Sequence, residues 1–426
     1  MPNFSIALSG LDADATSLDT IANNLSNMST TAYKTHTTKF SDAFYESLGT
    51  SGAGNPIAKG TGAKVSGTST DFTQGNFNTS HKTNSDMAIN GEGFFVVKNS
   101  TGQYLTRDGG FTQNAAGQLV TTNGANLMGY AVTKGVPDTS KLAEVKLPTS
   151  GSVMSANAST KMTVTANLDS STAVGGTYTS TATLYDSLGE THTATITYTK
   201  TANNSWNYSI ALPASDYASG TATPITGSLA FDASGNLSTI SSGGAASTVG
   251  TAPGNVSSIP LSFAGLSDGS NDMAINWNML NSNNGQILTQ TNSPSTTSSA
   301  VADGYTSGTY ESFAVDTNGM VNATYSNGQT VAVGQVALAD VANDQGLVSK
   351  GSGMYATTVS SGNMNVGTAG NGSLGTIEDN ATEESNVDIS TEFADLIVAQ
   401  RAFEANSKSI TTFDTVTQET INLIHS

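Results

Sequence analysis

No cysteine occurs in the 426 residues, so neither a disulfide framework nor thiolate chemistry is available, and the fold is indifferent to the redox state of its compartment. Trp206 and Trp277 are the only tryptophans, a poor endowment for the aromatic-lined cleft of a glycan-active enzyme. Charge is scarce as well, at 11% of residues, and lopsided: fifteen basic against thirty-three acidic side chains give a formal charge of −18. That sign opposes nucleic acid and anionic lipid as partners. No apolar run approaches the roughly eighteen residues of a membrane-spanning helix, so membrane insertion is not expected. The opening Met1-Pro2-Asn3-Phe4 lacks a basic region, a continuous apolar core and a small-residue cleavage site, so a cleaved signal peptide is not expected and any export takes another route. What abounds is small and polar: 44 glycines, with much of the rest threonine, serine and asparagine. This is the composition of short strands and turns, in a chain long enough for roughly two to four domains.

Catalytic constellations are missing too. His36, His81, His192 and His425 show no metal-ligand spacing of the His-Glu-x-x-His kind, and with no cysteine beside them no metal site or cofactor is expected. Gly91-Glu92-Gly93 is a fragment of a dinucleotide fingerprint, but it runs into Phe94-Phe95-Val96 and reads as a hairpin turn. Asp316-Thr317-Asn318-Gly319 lacks the closing acid of a calcium loop and reads as a plain turn. Glu383 and Glu384 are expected in a solvated linker, and no buried carboxylate pair is expected.

The positive signal sits at the two ends. Phe4, Leu8, Leu11, Ala15, Leu18, Ala22 and Leu25 recur at steps of four and three, one apolar seam on a helix. Ile389, Phe393, Leu396, Phe403, Ile410, Thr417, Ile421 and Ile424 keep the same rhythm, with Gln400, Ser407 and Asp414 in the remaining seam positions. Neither stripe is buried by its own helix, and isolated helices of this length are marginal in water. Each needs a partner: the other end of the chain, or the ends of neighbouring molecules. Asn23, Asn24 and Asn27 are expected near the first helix end, and Ser385 with Asp388 fits a capping pattern ahead of the last helix.

Between the ends the texture is β. Residues 28–70, with an apolar cluster of Phe40, Phe44, Tyr45 and Leu48 ahead of the Gly-rich Gly49 to Gly67, read as a connector, and Gly362 to Gly375 as a second flexible one. Short β-runs with turn signals, Asn327-Gly328 strongest among them, fill the rest. The expectation is mainly β with α-helical termini: paired coiled-coil helices in 1–27 and 380–426, an inner β-domain in 71–143 and 300–379, and an inserted outer β-domain in 144–299.

Several stretches resemble the bacterial flagellar axial family of rod and hook proteins. Ala22-Asn23-Asn24-Leu25-Ser26-Asn27 with Thr31-Ala32-Tyr33-Lys34 is similar to that family's N-terminal signature, and Asp71 to Gly75 with Asp86 to Val97 to the start of its β-domain. Ser385-Asn386-Val387-Asp388-Ile389-Ser390 and Ala399-Gln400-Arg401-Ala402-Phe403-Glu404-Ala405-Asn406 are similar to its closing signature, while Asp379 to Glu384 departs from it. The large middle segment, with its Thr183-to-Gly189 turn, favours the hook branch over the shorter rod branch. The resemblance implies a non-enzymatic, extracellular subunit without cofactor that polymerises with copies of itself into a flexible torque-transmitting tube. It implies distal rod, hook cap and hook-filament junction proteins as partners, with passage through the flagellar type III export apparatus. A distal rod or other axial subunit, or an adhesin or surface-layer protein, are the alternatives. Phe4, Leu8, Leu11, Leu18, Leu25, Phe393, Leu396, Phe403, Ile410, Ile421 and Ile424 are the expected subunit interface. Asn23, Asn24, Asn27, Asn386, Asp388, Gln400, Arg401 and Asn406 are the signature positions.

Overall fold

A computed structural model describes residues 4–43, 45–50, 56–80, 83–242, 246–252 and 255–425. The chain is mostly strand, with a helix near each end: α1 (Phe4–Ser26) and α2 (Ile389–His425). It divides into two units. The first comprises Met1–Thr149, Ser312–Thr324 and Thr330–Ser426, and the second Ser150–Glu311 with Tyr325–Gln329. Sequence reasoning set the insertion at 144 and 299, so both margins lie several residues further on.

Residues 28–70 are not a plain connector. Strand β1 (His36–Asp42) leads into β2 (Tyr45–Thr50), β3 (Pro56–Gly60) and β4 (Ala63–Thr70). β1 pairs antiparallel with β4 from His36–Thr70 to Asp42–Ala63, and β2 pairs with β3. Threonine, lysine and serine dominate β1 and β4, so β-propensity and ladder hydrogen bonds make the hairpin without an apolar alternation to announce it. Of the expected apolar cluster, Phe40 and Tyr45 are exposed; Phe44 and the Leu48 side chain lie outside the described residues. The stretch from Gly362 to Gly375 is likewise ordered: Asn365–Thr368 pairs with the end of Thr330–Asp340, and Ala369 and Leu374 are buried.

The first unit is built on a sheet buried on both faces. In Phe94–Asn99, Phe95 and Val97 enter one cluster with Phe111, Leu127 and Val336, while Phe94 and Val96 enter another with Leu105, Ala339 and Tyr355. Alternation by two explains this sharing, and it explains why the strand reads as a continuous apolar run. Gly91–Gly93 does not close a hairpin. Met87–Asn90 pairs with Thr376–Asp379, whereas Phe94–Asn99 pairs with Gly102–Thr106, so the glycines make a corner between two ladders. A Cβ on Gly91 would stand 3.1 Å from the Gly375 Cα, and the Gly91 φ is +109°. Asp316 to Gly319 is a plain turn, its Asp316 Oδ1 accepting from the N–H groups of Asn318 and Met320.

The second unit is a sandwich of two sheets. A six-stranded meander runs from Thr177–Tyr185 to Ala246–Thr248, and a five-stranded sheet is centred on Lys161–Asp169. Every second side chain of Thr191–Ala202 is buried as far as Lys200, joining Trp206, Tyr208 and Trp277 in one core. The Trp206 Nε1–H donates to Gln290 Oε1 at 2.8 Å, so the buried indole is satisfied.

Candidate assembly interface

α1 and α2 run antiparallel. Asn24 Nδ2 donates to Glu392 Oε1 at 3.0 Å at one end of the pair, and Asn406 Nδ2 donates to Asp14 Oδ2 at 2.7 Å toward the other. Residues facing α2 or sunk between the helices are mostly small or polar, Gly10, Asp14, Ser17 and Asn24, with the apolar Ile21 buried among them. A Cβ on Gly10 would lie 2.8 Å from Asn406 Nδ2, so any larger residue there would push aside the amide that bonds Asp14. A second face of α1 rests on the hairpin, where Thr38 Oγ1 donates to Thr20 Oγ1 at 2.8 Å and Ser9 stands against Gly62. The third face carries the leucines.

This arrangement turns the expected seam by one position. The α2 row turned toward α1 holds the buried Glu392 and Ala399 and the half-buried Asn406, one residue before the Phe393, Gln400, Ser407 row. Leu8, Ile389, Phe393 and Ile421 are exposed; Leu11, Leu18, Leu25, Leu396, Phe403 and Ile410 are half-buried; the side chains of Phe4 and Ile424 lie outside the described residues. Ile397, Val398, Val416 and Leu423 add to the open apolar surface, Leu423 at 77% exposure. At 37 residues α2 is about 55 Å long against about 35 Å for the 23-residue α1. Its final turns therefore run past the start of α1.

The signature asparagines fasten the start of α2 to the chain around α1. Asn24, buried, donates to the His36 carbonyl at 2.8 Å and accepts from the His36 N–H at 3.0 Å, as a neighbouring strand would. Asn23 and Asn24 both accept from the Tyr33 hydroxyl, whose pKa is pushed up to about 12 by burial and, secondarily, by Glu392. It stays a donor at neutral pH. Asn27 donates to the Asn23 carbonyl at 2.9 Å. Asn386 accepts from the Thr35 N–H and hydroxyl and donates to the carbonyls of Asp71 and Thr73. Asp388, not Ser385, caps α2: its Oδ1 accepts from the N–H groups of Ser390 at 2.8 Å and Thr391 at 3.2 Å. Asp388→Ala should cost about 1 kcal/mol at that helix end, read as faster hydrogen exchange at the Ser390 and Thr391 amides. Gln400 is exposed, and Arg401 makes only an exposed pair with Glu404, worth little to stability.

Beneath this junction lies a buried ion cluster that sequence reasoning missed. Glu383, expected in solvent, is fully buried: Lys34 Nζ donates to its Oε1 at 2.5 Å, the Gly75 N–H donates to the same oxygen at 2.9 Å, and Arg107 Nη1 stands 3.5 Å from Oε2. Burial lowers the pKa values of Lys34 and Arg107, and in both Glu383 opposes that shift. Lys34 is separated from Glu383 by 349 positions, so no local pattern exposes the pair.

Burial raises the Glu392 pKa above 4.5; the Asn24 hydrogen bond opposes the rise and Asp395 adds to it. The folded chain therefore holds this proton to higher pH than the unfolded chain does, and stability falls as pH rises from the unfolded value through the folded one. Glu392→Gln, which retains an oxygen for Asn24, should remove that slope and stabilise the pair at neutral pH. Urea unfolding at about pH 4 and about pH 7 checks it; a slope equal to that of the parent chain contradicts it.

Similarity to known proteins covers both terminal helices and the β-structure between them. Residues 4–34 match the Flagella basal body rod protein family, and 88–167 the Flagellar hook protein FlgE/F/G D1 domain. Residues 157–305 match the Flagellar basal body protein FlaE D2 domain, and 378–423 the Flagellar basal body rod FlgEFG protein C-terminal family. The flagellar hook protein FlgE of Escherichia coli K12 is 33% identical, covering 99% of each chain. That of Salmonella typhimurium is 34% identical over 99% of this chain and 100% of its own. The crystal structure of Helicobacter pylori flagellar hook protein FlgE2 shares the fold with a TM-score of 0.53 at 14% identity, over 73% of this chain and 99% of that one. The chain belongs to the flagellar hook protein family, whose members are structural polymer subunits of the flagellum rather than enzymes.

Proposed function

We propose that the outward rows of α1 and α2 are the surface through which hook subunits polymerise, forming the wall of a tube that transmits torque from rod to filament. One observation carries this reading. α2 is continuous for 37 residues, yet Ile389, Phe393, Ile397, Val398, Val416, Ile421 and Leu423 are open to solvent. Helices of a monomer that cover only their own core have no use for such a row. With Leu8, and with the half-buried Leu11, Leu18, Leu25, Leu396, Phe403 and Ile410 at its edges, it offers neighbours a two-helix face. Phe4 and Ile424 extend the sequence pattern.

Export fits the same chemistry. Ala-rich and Ser-rich helices of marginal stability pass a narrow channel unfolded, and assembly then completes their folding. The flagellar type III export apparatus, without a cleaved signal peptide, is the route this implies. The distal rod protein, the hook cap protein and the hook-filament junction protein are the partners at the tube ends. Flexibility is not assigned to Gly362–Gly375, which is laddered in a sheet; proline at Gly367 would break its pairing with Leu338 rather than stiffen a joint.

The cysteine-free background gives a direct test. Single cysteines at Leu8, Phe393 and Leu423 should react with maleimide in the protomer and be protected in assembled tubes, while one at the exposed Val174 of the second unit stays reactive in both. Equal labelling of the helical positions before and after assembly would overturn the proposal.

A further inference from the structure

The turn after Thr177–Tyr185 carries a group of side chains that folding alone does not satisfy. Asp186 is fully buried. Its Oδ1 accepts from the N–H groups of Leu188 at 2.9 Å and Glu190 at 2.8 Å, while its Oδ2 makes no aligned hydrogen bond, although the Asp268 and Ser270 side chains stand beside the carboxylate. His192, 4% exposed, shares a hydrogen bond between Nδ1 and Asp216 Oδ2 at 2.8 Å, and its Nε2 is also without a hydrogen-bond partner. The two unsatisfied atoms face each other at 3.6 Å. Asp268, on the exposed side, brings a carboxylate oxygen so that ligand atoms of all three residues lie within 4.8 Å of one another.

We propose that this cluster binds one divalent first-row transition cation of the zinc class, held by His192 Nε2 and the carboxylates of Asp186 and Asp268. A gap of 3.6 Å is too long for a hydrogen bond. It suits two ligands of one ion, which at bonds of about 2.1 Å and a tetrahedral angle stand about 3.4 Å apart. Asp216 supplies the outer carboxylate: by accepting from Nδ1–H it fixes the tautomer whose Nε2 lone pair points at the ion. An imidazole among carboxylates favours zinc over calcium or magnesium. The ligands come from segments already tied together, with the Asn271 N–H donating to Ser187 Oγ at 3.0 Å and the Ser267 N–H to the Asp216 carbonyl at 3.0 Å. Exposed Asp268 leaves an entry path and room for water to complete the shell. No sequence motif marks the site because Asp268 reaches it from a loop remote in sequence from the Asp186 turn and the strand Thr191–Ala202 that carries His192.

The test uses the full chain, stripped with a chelator and titrated with zinc chloride, with calcium chloride as control. Expected are one zinc per chain by elemental analysis after dialysis, a raised melting temperature of the second unit, and no such response to calcium. Asp268→Asn, at an exposed loop position where folding is not at risk, should weaken zinc binding by at least about tenfold. His192→Gln should abolish it if that variant folds. Absence of zinc uptake, with the His192 ring protonated on both nitrogens by NMR, would overturn the proposal in favour of a simple ion pair. Undiminished uptake by Asp268→Asn would overturn it as well.

Discussion

Replacing Phe393 and Ile397 together by aspartate should leave a folded, soluble protomer that no longer forms tubes. Both side chains stand in solvent, at 48% and 58% exposure, so the protomer loses little packing. Phe393 also lies in the second turn of α2, where negative charge is tolerated close to the helix N-terminus. In the polymer the same positions would meet apolar surface. Burial of a large apolar side chain contributes about 1.5–3 kcal/mol, and a carboxylate in its place adds a desolvation cost. A loss of at least about 3 kcal/mol per subunit raises the concentration needed for assembly by roughly a hundredfold or more. Sedimentation and negative-stain microscopy read the outcome, with the circular dichroism of the protomer as control for folding. Normal tubes from this variant would remove the outward row from the interface.

Glu383→Ala should be among the most destabilising single substitutions in the first unit. It strands the Lys34 ammonium, which has no exposed side-chain surface, beside Arg107, leaving only the weaker pull of Asp71 on Lys34 and of Glu92 and Asp344 on Arg107, and breaking one partner of a buried pair costs about 3–5 kcal/mol. It also removes the acceptor of the Gly75 N–H. Lys34→Met combined with Glu383→Leu should recover part of the loss, because it removes the stranded ammonium, while Arg107 stays buried on the Ile89 and Gly91 carbonyls. Denaturant unfolding should show the single substitution lowering stability of the first unit while the transition of the second is unmoved. A loss below about 1 kcal/mol would mean the cluster is solvated in solution. The chain around Glu383 also bonds to both ends of the hairpin region, through the Ala32 N–H to the Glu383 carbonyl and the Glu384 N–H to the Asn76 carbonyl. Glu383→Ala is therefore expected to loosen the anchoring of α2 and to impair assembly without touching the interface.

The terminal helices were legible because a four-three rhythm of large apolar residues survives in a polar chain. Their mutual face was not, because Gly10, Asp14, Ser17, Asn24 and Asn406 carry no hydrophobic signal. Leucine and phenylalanine marked the surface left open, and small residues made the one that closed. The hairpin of β1 to β4 was read as connector for a related reason: its Thr- and Ser-rich strands pair through backbone and lie on α1 without an alternating apolar stripe. Strong turns such as Asp316 to Gly319 were readable, since their geometry is set within four residues. Gly91–Gly93 was not, because the partner of each flanking strand lies elsewhere in the chain. Lys34 with Glu383, and the Asp186–His192 turn with Asp268, are assembled by the fold from segments far apart in sequence, and no spacing rule reaches them.

Hydrogen exchange of α1 and α2, in dilute protomer and then in assembled tubes, tests most directly whether neighbours complete these helices. Amides of Phe413 to His425, beyond the reach of α1, should exchange rapidly in the protomer, with α1 and the rest of α2 opening well below the global unfolding cost, and all should become protected on assembly. Full protection of both helices along their whole length in the dilute protomer, unchanged in the tube, would contradict the account.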